Sequence, residues 1–188
     1  MNHQNIQLET KRLILNSLSY KDTPKIIGYA QNPKISENVI NLPFPYFEKD
    51  AIFWINSAHQ GRITGETYNF AIRLKEDKDL HFVGGIGLKI NQKHNKAELG
   101  YWIAEPFWNI GLMSEAVQKI IEFAFETLEL NKIVASYFLH NPSSGKVMIK
   151  NKMIKEAQIK EHFKKGNTYL DIIQYRLTQK EYRQIIKK

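Results

Sequence analysis

The chain of 188 residues predicts a mixed α/β domain: a central, mostly antiparallel sheet flanked by helices, with one parallel strand-helix-strand crossover. Three observations carry this prediction. Apolar residues alternate through 68–74, 82–90 and 97–104, as they do in half-buried strands. Between 112 and 128, Met113, Val117, Ile120, Ile121, Ala124 and Leu128 recur at helical spacing, with Glu115, Glu122 and Glu126 on the polar face. A further alternating run at 133–139 completes a strand, long helix, strand succession. Such a succession joins parallel neighbours by a right-handed crossover, whereas the short turns elsewhere imply antiparallel pairing.

The elements follow in order. Residues 11–17 alternate as a first strand. Residues 22–31 and 48–59 suit helices, the first with Ser19 and Asp22 as capping candidates and the second entered through the Pro43–Pro45 turn. The runs 68–74 and 82–90 form a hairpin in which Gly84, Gly85 and Gly87 predict a bulge or close packing. After the 97–104 strand, the 112–128 helix and the 133–139 strand, a short helix begins at Asn141-Pro142-Ser143. Strands are expected near 153–159 and 168–177. Thr178 and Glu181 make a capping box for a last short helix. With no repeat, low-complexity tract or linker, residues 1–188 read as a single domain.

Composition removes whole classes of function. There is no cysteine, hence no disulfide framework, thiolate metal site or cysteine acyl-enzyme. The histidines, His3, His59, His81, His94, His140 and His162, are scattered without an i, i+4 pair, so no metal is expected. No apolar run spans a bilayer, and MNHQNIQLETKR lacks a signal-peptide core, which predicts a cytoplasmic protein without membrane attachment. The net charge of +8 is uneven: residues 1–145 hold 15 basic and 15 acidic residues, residues 146–188 hold 12 and 4. Lys150, Lys152, Lys155, Lys160, Lys164 and Lys165 are either solvated surface or a field for an anionic ligand or an acidic, ribosome-associated partner. Direct nucleic-acid binding is not expected.

The most informative stretch is AELGYWIAEPFWNIGLMSEA, residues 97–116, where a strand passes through a short turn into a glycine-led helix start. Unpaired N–H groups and the macrodipole at such a start favour phosphate, and Gly111 permits close approach.

This stretch, together with ELNKIVASYFLHNPSSGKVMIKNKM further on, resembles the acetyl-CoA-binding core of the GNAT N-acetyltransferases. The opening LETKRLILNSL, residues 8–18, resembles the first strand of the RimJ/RimL branch, which acetylates protein N-termini, including those of ribosomal proteins. The resemblance covers nearly the whole chain and implies the GNAT fold and acetyl-CoA as donor. The chain departs from the family at two places. Asn109 stands where the family turn has its first glycine, and Lys152-Met153 stands where Gly-Phe is usual. Asn tolerates positive φ, so the turn can survive.

What the resemblance implies for residues is specific. The pantetheine arm would pair with the strand ending Trp102, Ile103 and Ala104, and an amide of Trp102 or Ile103 would stabilise the oxyanion. Backbone N–H groups from Phe107 through Trp108, Asn109, Ile110, Gly111, Leu112 and Met113 to Ser114 would wrap the pyrophosphate. The side chains of Trp102, Phe107 and Trp108 read equally as core aromatics. Asn141 would bind the CoA arm and Ser144 would stand nearest the sulfur, although capping alone also accounts for Asn-Pro-Ser-Ser.

Without cysteine, the acceptor amine would attack directly in a ternary complex. Glu98 is the first candidate base, since alternation sets Glu98, Gly100 and Trp102 on one strand face. Glu161 and His162, expected in a loop near the C-terminal hairpin, are weaker candidates, and Tyr169 is a further hydroxyl donor. The resemblance builds the acceptor pocket from the first helices and the C-terminal hairpin, here Phe44, Tyr46, Trp54 and Phe163. The acceptor reads as a protein N-terminus or a small amine such as a polyamine, amino acid or antibiotic. A non-catalytic CoA- or partner-binding module is the reading of another class. A homodimer is compatible with the fold.

Overall fold

The computed structural model describes residues 6–187, so His3 and the start of the N-terminal segment lie outside the described residues. One eight-stranded sheet organises the chain. Its spatial order is β1-β2-β3-β4-β5-β6-β8-β7, where β1 is Leu8–Glu9, β2 Leu13–Asn16, β3 Thr67–Leu74, β4 Phe82–Asn91, β5 Lys96–Ile103, β6 Lys132–Phe138, β7 Ile154–Lys165 and β8 Thr168–Thr178. Every neighbouring pair is antiparallel except β5–β6, which the crossover makes parallel. The mixed sheet is therefore the expected one.

Helices cover both faces, and alternation in the strands feeds a core on each. On one face, α4 (Leu112–Glu122) and α5 (Pro142–Lys150) bury Leu112, Val117, Ile120 and Met148 against Leu13, Phe70, Ile86 and Leu99. On the other, α1 (Thr23–Ala30) and α3 (Glu48–Thr64) bury Ile26, Ala51 and Ile55 against Ala71 and Phe82. At roughly 25 cal/mol per Å² of apolar surface, these two layers supply most of the favourable term in folding. An ion pair stitches the second layer to the sheet: Arg73 of β3 makes two 2.8 Å hydrogen bonds to the buried carboxylate of Asp22.

Local chemistry sets the element ends. Ser19 and Asp22 cap each other's backbone around a 3₁₀ turn, Tyr20–Asp22, ahead of α1 rather than capping α1 itself. Asp50 accepts the Phe47 N–H at the start of α3, and Gly65, at φ 72°, ends it five residues later than expected. At Gly85 any side chain would meet the Trp54 ring at 2.7 Å, which is the close packing foreseen for the glycine run, and a register shift between Ile72 and Arg73 supplies the bulge. The 112–128 helix has two parts, with a π-helical turn, Phe123–Thr127, following α4. Thr178 and Glu181 form the capping box of α6 (Gln179–Ile186).

Two departures bear on the site. A four-residue helix, α2 (Pro33–Ser36), follows α1 where no element was expected. Strand β7 continues to Lys165, so Glu161 and His162 lie within a strand and not in a loop. Glu161 takes φ 50° at a bulge between the Ile159 and Phe163 pairs, its N–H donating to Asp171 at 2.9 Å.

Candidate functional site

The site is built where two parallel strands part. β5 and β6 pair only from Lys96↔Lys132 to Leu99↔Ala135. Beyond that point β5 continues beside β4 as far as Ile103↔Gly84, and β6 continues beside β8 as far as Phe138↔Ile172. Gly100–Ile103 and Ser136–Phe138 thus form the arms of a fork, each paired on its outer side and lacking a strand on its inner side. Backbone groups so placed seek a hydrogen-bonding partner. The Ile103 carbonyl already has one, since the Trp108 indole N–H donates to it at 2.7 Å.

On the α5 face the fork is braced by hydroxyls. Tyr101 Oη lies 3.0 Å from the Ser144 carbonyl, to which it donates, and 2.9 Å from Ser144 Oγ. Burial pushes the Tyr101 phenol well above its usual range, with the Ser144 hydrogen bond opposing, so it is protonated at neutral pH. Asn141 precedes Pro142 at the start of α5, yet its side chain makes no capping hydrogen bond. Capping therefore does not account for Asn141 here.

The inner arm of β5 leads through Ala104 and a 3₁₀ turn, Glu105–Phe107, into Trp108, Asn109 and Ile110, and so to Gly111. Asn109 takes φ 62° and Gly111 φ 82°, so Asn109 holds the left-handed geometry a glycine would adopt. No side chain caps the start of α4, which leaves the first N–H groups, those of Leu112, Met113 and Ser114, without an intrahelical or side-chain partner. Two cations converge on the turn. A methyl group built on Gly111 would lie 3.6 Å from Arg12 Nη2 and 3.8 Å from Lys150 Nζ. Arg12 is held there by its own contacts, donating to the Ile110 carbonyl at 2.9 Å and to Glu115 Oε2 at 2.7 Å. Burial works against ionised Glu115, but hydrogen bonds from Thr10 and Arg12 outweigh it and hold the carboxyl below its usual range. A helix start with unpartnered amides and two cations beside it is the kind of place that favours an anion.

On the opposite face of the sheet a cavity of about 560 Å³ ends against the fork. Glu98, the last β5 residue on that face before the strands part, lines it with Ser136, Gln174, His162 and Phe163, and Lys89 and Lys96 lie at its walls. Glu98 and His162 thus share one cavity. Glu161 and Tyr169 do not line it: Tyr169 is 57% exposed, with Lys164 over its ring.

The four residues expected to form an acceptor pocket do not converge. Tyr46 is core, 2% exposed and packed with Ile26, Ala51 and Ile55. Phe44 is 56% exposed. Trp54 packs edge-on to Phe82 and tilted against Trp102, so the Trp102 side chain belongs to the α3-face core while its backbone remains on the fork. Phe163 alone of the four lines the cavity. Sequence reasoning missed Tyr101 and Arg12. Tyr101 had a signal: strand parity sets it on the face opposite Glu98, a hydroxyl aimed at a helix. Arg12 had none, because it reaches the turn from about a hundred residues away.

The second departure from family pattern is also absorbed. Lys152 takes φ 61°, as the usual glycine would, and Met153, 4% exposed, fills the core.

Comparison with known proteins adds an independent line. A family model described as an acetyltransferase (GNAT) domain matches residues 12–154. The uncharacterized N-acetyltransferase p20 of Bacillus licheniformis is 29% identical over 177 residues, 93% of this chain and 97% of that protein. The ribosomal-protein-serine acetyltransferase of Escherichia coli is 28% identical over 117 residues, covering 62% and 65% of the two chains. RimL, a ribosomal L7/L12 α-N-protein acetyltransferase solved in complex with coenzyme A, shares the fold at a TM-score of 0.83 over 92% of this chain and 98% of its own, with 16% identity. Because the family match runs from the residue before β2 to the first residue of β7, taking in both arms of the fork and the α4 turn, the chain belongs to the GNAT acetyltransferase family.

Proposed function

We propose that this protein moves the acetyl group of acetyl-CoA to a primary amine, and that the amine is a protein N-terminal α-amine attacking directly in a ternary complex. The observation that carries the reading is the fork itself, opening between the uncapped start of α4 and a polar cavity on the opposite face.

The residues present fit the donor. On the inner edge of β5 the N–H and C=O of Tyr101 and the N–H of Ile103 offer strand-like hydrogen bonds to an extended pantetheine arm, the carboxamide of Asn141, which caps nothing, offers another, and the α4 start with Arg12 and Lys150 suits the phosphates. The bound donor supplies an acetyl thioester. Around it the chain's own groups divide the work. The Ile103 amide, on the edge of β5 that faces away from β4, would polarise the thioester oxygen, whereas the Trp102 amide is turned to β4 and is not placed for it. The protonated Tyr101–Ser144 pair holds a proton close to the parting strands, where the leaving sulfur would take it. Glu98 and His162 stand in the cavity as acceptors for the proton lost by the amine.

Chemistry favours an α-amine over a lysine. With pKa values of about 7.7–8.0 against 10.4, the lysine needs roughly 3–4 kcal/mol more help to be neutral at pH 7. Lys89 and Lys96 in the cavity, balancing Glu66 and Glu98, count against a polycation such as a polyamine. Relatives that acetylate ribosomal proteins favour the same acceptor class.

Calorimetric titration with acetyl-CoA tests the donor site, followed by mass spectrometry of peptides with free N-termini. Micromolar binding, about −8 kcal/mol, is expected, together with its loss in Gly111→Glu, which adds bulk and like charge at φ 82°. Binding unaffected by that substitution would remove the α4 turn from the reading. Acetylation of spermidine in preference to every peptide would replace the acceptor.

A further inference from the structure

The arms of the fork are tied together by a segment that no strand pairing requires. After α1 the chain runs from Asn32 through α2 to Val39. At its first end, Asn32 Nδ2 donates to Glu105 Oε2 at 2.5 Å, and Lys34 pairs with Glu105 Oε1, so the segment is fastened to the residue that follows β5 and Ala104. At its other end, Lys165 Nζ donates to the carbonyls of Ser36 and Val39, the latter at 3.0 Å. Lys165 is the last residue of β7, paired with Thr168 at the hairpin tip, and β8 carries that hairpin on β6. One short segment thus begins on the β5 side of the fork and ends on the β6 side.

The lysine is chemically suited to this fastening. Carbonyls at the end of α2 have no intrahelical donors, and an ammonium is the natural cap for them. Among the described residues it makes no ion pair with a carboxylate. Burial pulls the Lys165 pKa down, and Glu37 offsets part of that pull. Its five basic neighbours named in the sequence, by contrast, are exposed. The loose end of the span without it would be a half-exposed loop from residue 37 to the start of α3, whose other fixed point is the Gln31 carboxamide donating to the Tyr46 carbonyl at 2.7 Å.

We infer that Lys165 is a positioning residue of the acceptor entrance: it holds residues 33–39 across the open end of the fork and restricts the passage to slender, extended amine chains. This rests on the fork being the transfer site. A peptide N-terminus with small residues behind it passes such a span, whereas an amine followed by bulky side chains meets it.

The test uses the full chain, its Lys165→Met variant, which keeps the alkyl stem, and its Lys165→Arg variant, which keeps the charge. The first readout is amide hydrogen exchange of residues 33–39. Faster exchange is expected in Lys165→Met, with wild-type protection in Lys165→Arg; unchanged exchange in Lys165→Met overturns the inference. The second readout is acetylation of two hexapeptides, one with Ser-Gly-Gly and one with Ser-Trp-Trp at a free N-terminus. Wild-type protein should prefer the first at least tenfold in kcat/KM. Lys165→Met should raise KM for it several-fold, shift kcat less than twofold, narrow the preference and leave acetyl-CoA affinity intact, with Lys165→Arg restoring wild-type values. Equal use of both peptides by the wild type, rejection of both, or an unaltered preference in Lys165→Met refutes the restriction. Absence of acetyl-CoA binding refutes the functional reading instead, while hydrogen exchange still decides the clamp.

Discussion

At the scale of single residues, two substitutions that look like decay in the sequence are conformationally silent. Asn109 and Lys152 occupy left-handed backbone positions at φ 62° and 61°, so the chain turns where a glycine would turn it. The cost differs between them. Asn is among the residues that tolerate this region, whereas Lys carries the full clash of Cβ with the following carbonyl, roughly 1–2 kcal/mol, against which glycine's extra unfolded-state entropy must be set. Lys152→Gly is therefore expected to stabilise the protein by about 0.5–1 kcal/mol, read as a higher urea midpoint at unchanged m-value. A lower midpoint would show that the exposed Lys152 side chain has a role that the backbone argument omits. The α4 turn was legible because its signal is local, a glycine at a strand-to-helix boundary. Tyr46 was misread because an aromatic beside prolines looks the same in sequence whether it faces a ligand or a core.

At the scale of elements, the hydrogen bonds between Tyr101 of β5 and Ser144 of α5 brace the fork. The two hydroxyls act as a unit, so their effects should not add. Tyr101→Phe and Ser144→Ala are each expected to lower kcat about tenfold or more while changing acetyl-CoA affinity little, and the double variant should fall scarcely further. Additive losses would separate the two groups and leave Ser144 with an independent role. Each single variant should also cost about 1 kcal/mol of stability, the usual net worth of one hydrogen bond. Element recognition failed in two instructive places. Residues 33–36 are too short for helical periodicity to register, and β7 beyond Ile159 alternates in charge and polarity rather than in apolar character, as an edge strand can.

At the scale of the whole molecule, electrostatics fix the acid limit. Among the described residues, Glu9, Asp77, Glu105, Glu115, Glu156 and Glu181 all have carboxyl pKa values below the ordinary one. For Glu156 the chief cause is the Lys132 hydrogen bond; for Glu181 burial opposes, and hydrogen bonds from Thr178 and Arg176 prevail. A group whose folded pKa is depressed contributes stability above its unfolded pKa and loses it as pH falls through the folded one. Stability should thus be flat from neutrality to about pH 5 and fall below the ordinary glutamate value of 4.5. Thermal melts from pH 7 to 3 check this, and Glu115→Gln should flatten part of the decline while lowering the neutral-pH plateau. A melting temperature that rises on acidification would contradict the sign.

The amino-acid sequence by itself determined the mixed sheet, the crossover and the glycine turn into α4, because hydrophobic period, a lone glycine and a capping box act over a few neighbouring residues. Only the tertiary structure decided that β5 and β6 part after Leu99, that Tyr101 meets Ser144 across the gap, that Arg12 arrives at Gly111, and that Lys165 fastens residues 36 and 39. These are contacts between distant segments. Their partners are chosen by strand register and by which face each residue meets, neither of which leaves a local mark in the chain.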